Sequence, residues 1–134
     1  MKVTLLLQER VEYRLLHYAS RALYGHLLES GVAIAEYHRS FLHAKVAVID
    51  DHWATVGSSN LDPLSLLLAR EANVVVADRT FAQQLHRRLI RAIAAESVPV
   101  DRADYLRRPW HQRLRDRMAF GLMRLMLFLS GLRY

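Results

Sequence analysis

His43 and Lys45 stand two residues apart, Asp50 closes the same apolar run, and Gly57, Ser58 and Asn60 follow, spelling H-x-K-x4-D-x6-G-S-x-N. Six specified letters at fixed offsets arise by chance on the order of once in a million chains of this size, so the pattern points to chemistry. That chemistry is the handling of a phosphodiester. Leu42 to Ile49 is apolar and β-branched and reads as a strand, in which alternate side chains share a face. His43 and Lys45 therefore point the same way. An imidazole, about half neutral near pH 6.5, can attack phosphorus through one ring nitrogen while a neighbouring ammonium binds a phosphoryl oxygen. A lysine inside so apolar a run also needs an anionic partner. Gly57 permits close backbone approach, and Ser58 and Asn60 offer a hydroxyl and an amide to phosphate oxygens. Asp50 has the opposite parity to His43, which gives its carboxylate a structural role at the strand end. Asp50-Asp51-His52 lies between two strand-like runs, Lys45 to Ile49 and Trp53 to Val56, and reads as a tight polar turn rather than a metal site. Of the other histidines, His38 alone is near enough to the motif to line the same pocket.

These residues resemble the phospholipase D superfamily. The surrounding text, Y-H-R-S-F-L-H-A-K over 37–45 and D-H-W-A-T-V-G-S-S-N-L-D-P over 51–63, is similar to the bacterial cardiolipin synthase B branch, with similarity running from about Lys2 to at least Val98. The resemblance implies a site made of His43, Lys45, Asp50, Ser58, Asn60 and Glu71. In it Glu71, within Ala69-Arg70-Glu71-Ala72-Asn73, is the carboxylate that orients the catalytic imidazole. It implies a phosphatidyltransferase of the cardiolipin synthase type, working by a double displacement through a phosphohistidine, with no metal and no cofactor. The implied partners are anionic phospholipids such as phosphatidylglycerol and a membrane surface, at the cytoplasmic face of the bacterial inner membrane. Relatives normally carry two such motifs in a much longer chain, whereas here no second His-x-Lys pair occurs. The chain thus resembles the C-terminal half of a synthase, and a second half or a homodimer partner is expected to complete the site. Two alternatives stay open: a homodimeric phosphodiesterase acting on nucleic acid, which is not the expected partner, and an inactive membrane-binding fragment. One motif does not tell which histidine attacks first.

The elements that must position these groups read as an α/β fold, a mixed β-sheet flanked by helices with a helical C-terminal tail. The 134 residues, 52% hydrophobic, suffice for one compact unit. The expected division is a catalytic half-domain over 1–100 and a basic, amphipathic tail over 101–134. Val3 to Leu7 predicts a strand. Leu15, Ala19, Leu23 and Leu27 predict a helix stopped by Gly31, and Val32 to Tyr37 the next strand. After the hairpin, Asp62-Pro63 opens a short helix, Asn73 to Ala77 forms a strand, and Thr80 with Gln83 makes a capping box for a helix striped by Phe81, Leu85, Leu89 and Ile93. A net charge of +6 favours anionic partners. The absence of cysteine excludes a disulfide framework and thiolate zinc sites, and the apolar run before Gln8 is too short for a signal peptide. In the tail, several arginines precede an apolar stretch, Met118 to Leu132, that Arg124 and Ser130 interrupt. Crossing a bilayer takes about 20 apolar residues, and a central arginine costs roughly 2.5–3.5 kcal/mol. An interfacial helix, with Phe120, Leu122, Leu125, Met126 and Leu129 reaching the acyl region, is the expectation.

Overall fold

The computed structural model describes residues 2–11, 13–59 and 71–129. Asn60 and the short helix expected after Asp62-Pro63 lie outside the described residues. The fold is α/β, and among the described residues its strands are shared between two three-stranded sheets, one in each of two compact units.

The first unit comprises Met1–Ser40 and Ser97–Tyr134. Strand β1 (Thr4–Gln8) pairs in parallel with β2 (Ala33–Tyr37), and β2 pairs antiparallel with the short β6 (Ser97–Pro99). The crossover from β1 to β2 is helix α1 (Arg14–Glu29). Gly31 stops it at φ +82°, with Val32 N–H donating to Leu27 O and Gly31 N–H to Leu28 O. That is the Schellman arrangement, whose left-handed residue glycine adopts without a Cβ clash. The buried side of α1 is Ala19, Tyr24 and Leu28, while Leu23 is exposed. Leu15, Ala19, Leu23 and Leu27 repeat strictly every fourth residue, and each such step drifts about 40° around a helix of 3.6 residues per turn. Leu23 stays exposed between Ala19, which is buried, and Leu27, which packs at the edge of the core, because the core is centred on Tyr24 and Leu28. Tyr24, Leu28 and Ile34 pack with Tyr105 of α3 (Arg102–Leu106), and burial holds the Tyr24 hydroxyl above the ordinary tyrosine range. Residues beyond 100 thus contribute to the core: α3 and the long α4 (Trp110–Leu129) both pack against α1.

The second unit is Phe41–Glu96. Strands β3 (Lys45–Ile49), β4 (Trp53–Gly57) and β5 (Asn73–Val76) form an antiparallel meander. The turn between β3 and β4 holds Asp50 and Asp51 at φ +50° and +52°, with His52 N–H donating to Ile49 O. Two successive positive φ values are the signature of hairpin turns that match strand twist, and aspartate tolerates them better than most residues. Helix α2 (Arg79–Glu96) lies on β3 and β4, with Ala54 and Ala82 fully buried. Its N-cap is Asp78, whose carboxylate accepts from Phe81 N–H at 2.7 Å. The expected box on Thr80 and Gln83 is displaced because Asp78 caps two residues earlier, the stronger of two available caps.

Candidate active site

Antiparallel pairing brings the motif together. Lys45 is opposite Gly57, and Gly57 is opposite Asn73, so one rung of the meander joins the start of β3, the end of β4 and the start of β5. Two residues beyond that rung on the three chains stand His43, Ser59 and Glu71. Because Ala54 is three residues from Gly57, the α2-covered face of the sheet is not the face of Lys45, Gly57 and Asn73. The strand begins at Lys45 rather than Leu42, and His43 sits just before it.

Lys45 Nζ and His43 Nε2 are 2.8 Å apart. An ammonium has no lone pair, so it must donate, and Nε2 must accept. In this state the neutral ring keeps its proton on Nδ1, and the lone pair that could attack phosphorus is held by the lysine. Lys45 is one of two lysines in a chain whose other cationic side chains are arginines. A compact ammonium can turn from the imidazole to a phosphoryl oxygen, which the flat guanidinium fork cannot do in the same space. His43 is exposed and Lys45 half-buried.

Ser58 is fastened to the neighbouring chain. Its N–H donates to Ala72 O at 3.0 Å, and its hydroxyl accepts from Ala72 N–H at 3.1 Å. The remaining O–H is 3.4 Å from Ala72 O, a weak contact that a phosphate oxygen could replace. Glu71, half-buried, immediately precedes Ala72. Asp50 is in the turn at the other end of β3, about 17 Å of strand from Lys45. That separation removes it from the group that meets at the rung, because five extended residues cannot fold back. At that far end Asp51 pairs with His86 Nδ1 of α2. His38 is exposed beyond β2, in the first unit. Among the described residues no group of three or more histidine, aspartate or glutamate side chains is placed to hold a metal ion.

Asn73 is the residue that sequence reasoning passed over. Its amide Oδ1 accepts from Ser59 N–H at 3.4 Å, and its Nδ2 donates to Ser59 Oγ at 2.7 Å. Gly57 makes room for it. A Cβ at 57 would collide with Asn73 Oδ1 and come within 2.5 Å of Ala72 O. The glycine thus serves a close approach of its own neighbour strand, whereas the sequence suggested approach to a phosphate. Only the register of β4 on β5 could have revealed this.

The family described as "Cardiolipin synthase, PLD-like domain" matches residues 1–93. Cardiolipin synthase B of Escherichia coli strain K12 is 44% identical over 124 residues, 92% of this chain and 30% of the relative. Cardiolipin synthase B of Salmonella typhi is 43% identical over the same share. The cardiolipin synthase of Geobacillus thermodenitrificans is 34% identical over 112 residues, 84% of this chain and 22% of that protein. The chain therefore spans less than a third of the length of these curated relatives. No solved structure matches it.

Proposed function

Since the chain belongs to the cardiolipin synthase family of phospholipase D-like domains, we propose that it supplies one half of the active site of a phosphatidyltransferase. The observation that carries this reading is the Lys45 Nζ to His43 Nε2 contact of 2.8 Å, at the end of the sheet beyond which the chain also carries Ser58, bonded to Ala72, and Glu71 next to it. A phosphoryl oxygen entering there draws the ammonium to itself and releases the Nε2 lone pair. Nε2 then forms a bond to phosphorus as the bond from phosphorus to the departing alcohol breaks, and that oxygen takes its proton from a second imidazole. The second imidazole next removes the proton of an incoming alcohol, whose oxygen displaces Nε2 from phosphorus. Glu71 orients the ring by accepting from Nδ1–H, and Ser58 and Asn60 hold phosphoryl oxygens. No step calls for a metal or a cofactor. His43 serves as attacking or proton-transferring imidazole, and the other comes from a second half or a partner copy.

Helix α4 supports an anionic phospholipid surface as the partner. Its inner side, Asp116, Ala119 and Leu127, is buried in the first unit. Leu114, Met118, Leu122, Leu125 and Leu129 form an outer stripe, each between 47% and 73% exposed. Arg113, Arg117 and Arg124 are exposed in a second stripe alongside, one residue before Leu114, Met118 and Leu125. Apolar and cationic stripes side by side suit a helix lying in the headgroup layer, and Leu122, Leu125, Met126 and Leu129 are all exposed for it, with Phe120 half-buried. No described helix is long and apolar enough to cross a membrane. A peripheral position on the cytoplasmic face of the bacterial inner membrane accords with this.

Thin-layer analysis of labelled phosphatidylglycerol incubated with the chain tests the reading. His43→Asn and Lys45→Ala should each remove nearly all transfer while circular dichroism stays unchanged. If the second imidazole comes from a partner copy, mixing His43→Asn with wild type should lower activity faster than the wild-type fraction falls. Normal product from either single variant sinks the catalytic assignment, and a verified monomer whose specific rate is independent of concentration sinks the shared site.

A further inference from the structure

The H-x-K face of the meander carries a hydroxyl that the motif leaves unspecified. β4 ends at Gly57 and the chain bends at Ser58, so the two serines leave the strand alternation. The Asn73 amide, lying where a Cβ of Gly57 would be on the Lys45 face, brings Ser59 Oγ within 2.7 Å of its Nδ2. Ser58 spends its polar groups on the Ala72 backbone, with its N–H donating at 3.0 Å and its hydroxyl accepting at 3.1 Å. Ser59 stands two residues beyond Gly57, the partner of Lys45 in the rung.

The state of its hydroxyl follows from Asn73. A serine hydroxyl has one proton to donate and two lone pairs. Asn73 Nδ2 donates to Ser59 Oγ at 2.7 Å and so occupies a lone pair. The Ser59 proton cannot point back at an NH2 group, and it is left to donate elsewhere. Asn73 Oδ1 meanwhile accepts from the Ser59 N–H at 3.4 Å, so one amide grips the residue at two points. Gly57, without a Cβ, lets that amide lie across the strand.

We infer that Ser59 is a further ligand of the phosphoryl group held by His43 and Lys45, and that Asn73 is a positioning residue that aims the Ser59 hydroxyl at it. The inference rests on the phosphotransfer reading of the same site. A hydroxyl donating to an anionic oxygen is a charge-assisted hydrogen bond, and it operates only when its rotor is turned to the ligand. Asn73 supplies that orientation before the ligand arrives.

The test is a titration of the 134-residue chain with inorganic phosphate, followed by the His43 imidazole and Ser59 amide signals in 1H–15N spectra. Ser59→Ala and Asn73→Ala should each raise the phosphate dissociation constant about tenfold, the effect of losing one hydrogen bond to a charged group. The double variant should be no weaker than either single one, because Asn73 acts through Ser59. Ser59→Thr, which keeps the hydroxyl, should stay within about twofold of wild type. The melting temperature of Ser59→Ala should not change by more than a few degrees, which separates ligand loss from structural damage. If Asn73→Ala does not fold, the Ser59→Ala and Ser59→Thr pair decides. Wild-type affinity in Ser59→Ala overturns the inference, and so does a double variant whose loss is the product of the single losses. Lys45→Ala is the control for the underlying reading. Phosphate binding that depends on Lys45 but not on Ser59 defeats this inference alone, whereas no Lys45-dependent binding in the wild type defeats both.

Discussion

At the scale of single residues the site depends on one absent side chain. Gly57 faces Lys45 on one side and Asn73 on the other, and the Asn73 amide fills the space a Cβ would need. Gly57→Ala should destabilise the protein by about 1–3 kcal/mol, the cost of overpacking a site that cannot yield, measurable as a lower urea midpoint at unchanged m-value. A midpoint equal to wild type would mean that Asn73 swings away freely and does not grip Ser59. His43 and Lys45 were legible in the sequence because residues two apart can meet without a distant partner, as their 2.8 Å contact shows even though β3 begins only at Lys45. Asn73 was not legible, because its part depends on contact with residues 57 and 59, sixteen and fourteen positions away. Asp50 shows the converse. Its parity and its place at the strand end were readable, and its position at the far end of β3 follows from them.

At the scale of elements, α4 is tied to its neighbours by a buried carboxylate. Asp116, 1% exposed, accepts from Arg108 and Arg115 at 3.0 Å each. Arg108 stacks 3.5 Å from the Tyr105 ring of α3, and Arg115 lies 3.8 Å from the Tyr18 ring of α1. One charge therefore links three helices. Asp116→Ala should cost about 3 kcal/mol, the lower end for a broken buried pair because Arg115 is half exposed and can return to water. Thermal unfolding would measure it, and a loss below about 1 kcal/mol would show that the arginines alone hold α4 on α1. Arg108 and Arg115 looked from the sequence like members of a basic run. Which arginine of such a run is consumed inside the fold is set by the helix face turned toward a neighbour, and that face depends on packing.

At the scale of the whole molecule, the net charge of +6 and the outer stripes of α4 lead to a binding prediction. The chain should sediment with phosphatidylglycerol vesicles, more weakly in high salt but not to zero, since charge is screened while apolar insertion persists. Replacing Arg113, Arg117 and Arg124 together with glutamine should weaken binding about a hundredfold, at about 1 kcal/mol per arginine near an anionic surface. Leu122→Asp with Leu125→Asp should remove the salt-resistant part. Equal binding by these variants would assign the stripe to packing against a second half or copy, which light scattering would then reveal. The sequence by itself determined the chemistry available to this protein, because residue types and their spacing along an extended strand specify which groups share a face. It also determined where the chain turns, because Gly31 and the Asp50-Asp51 pair suit backbone angles that few other residues accept. Tertiary structure alone decided which residues meet across the fold: Asn73 across Gly57, Tyr24 and not Leu23 in the core, and Asp116 buried between two arginines. Each of those depends on strand register or on the rotation of a helix against its neighbours, and a local pattern carries neither.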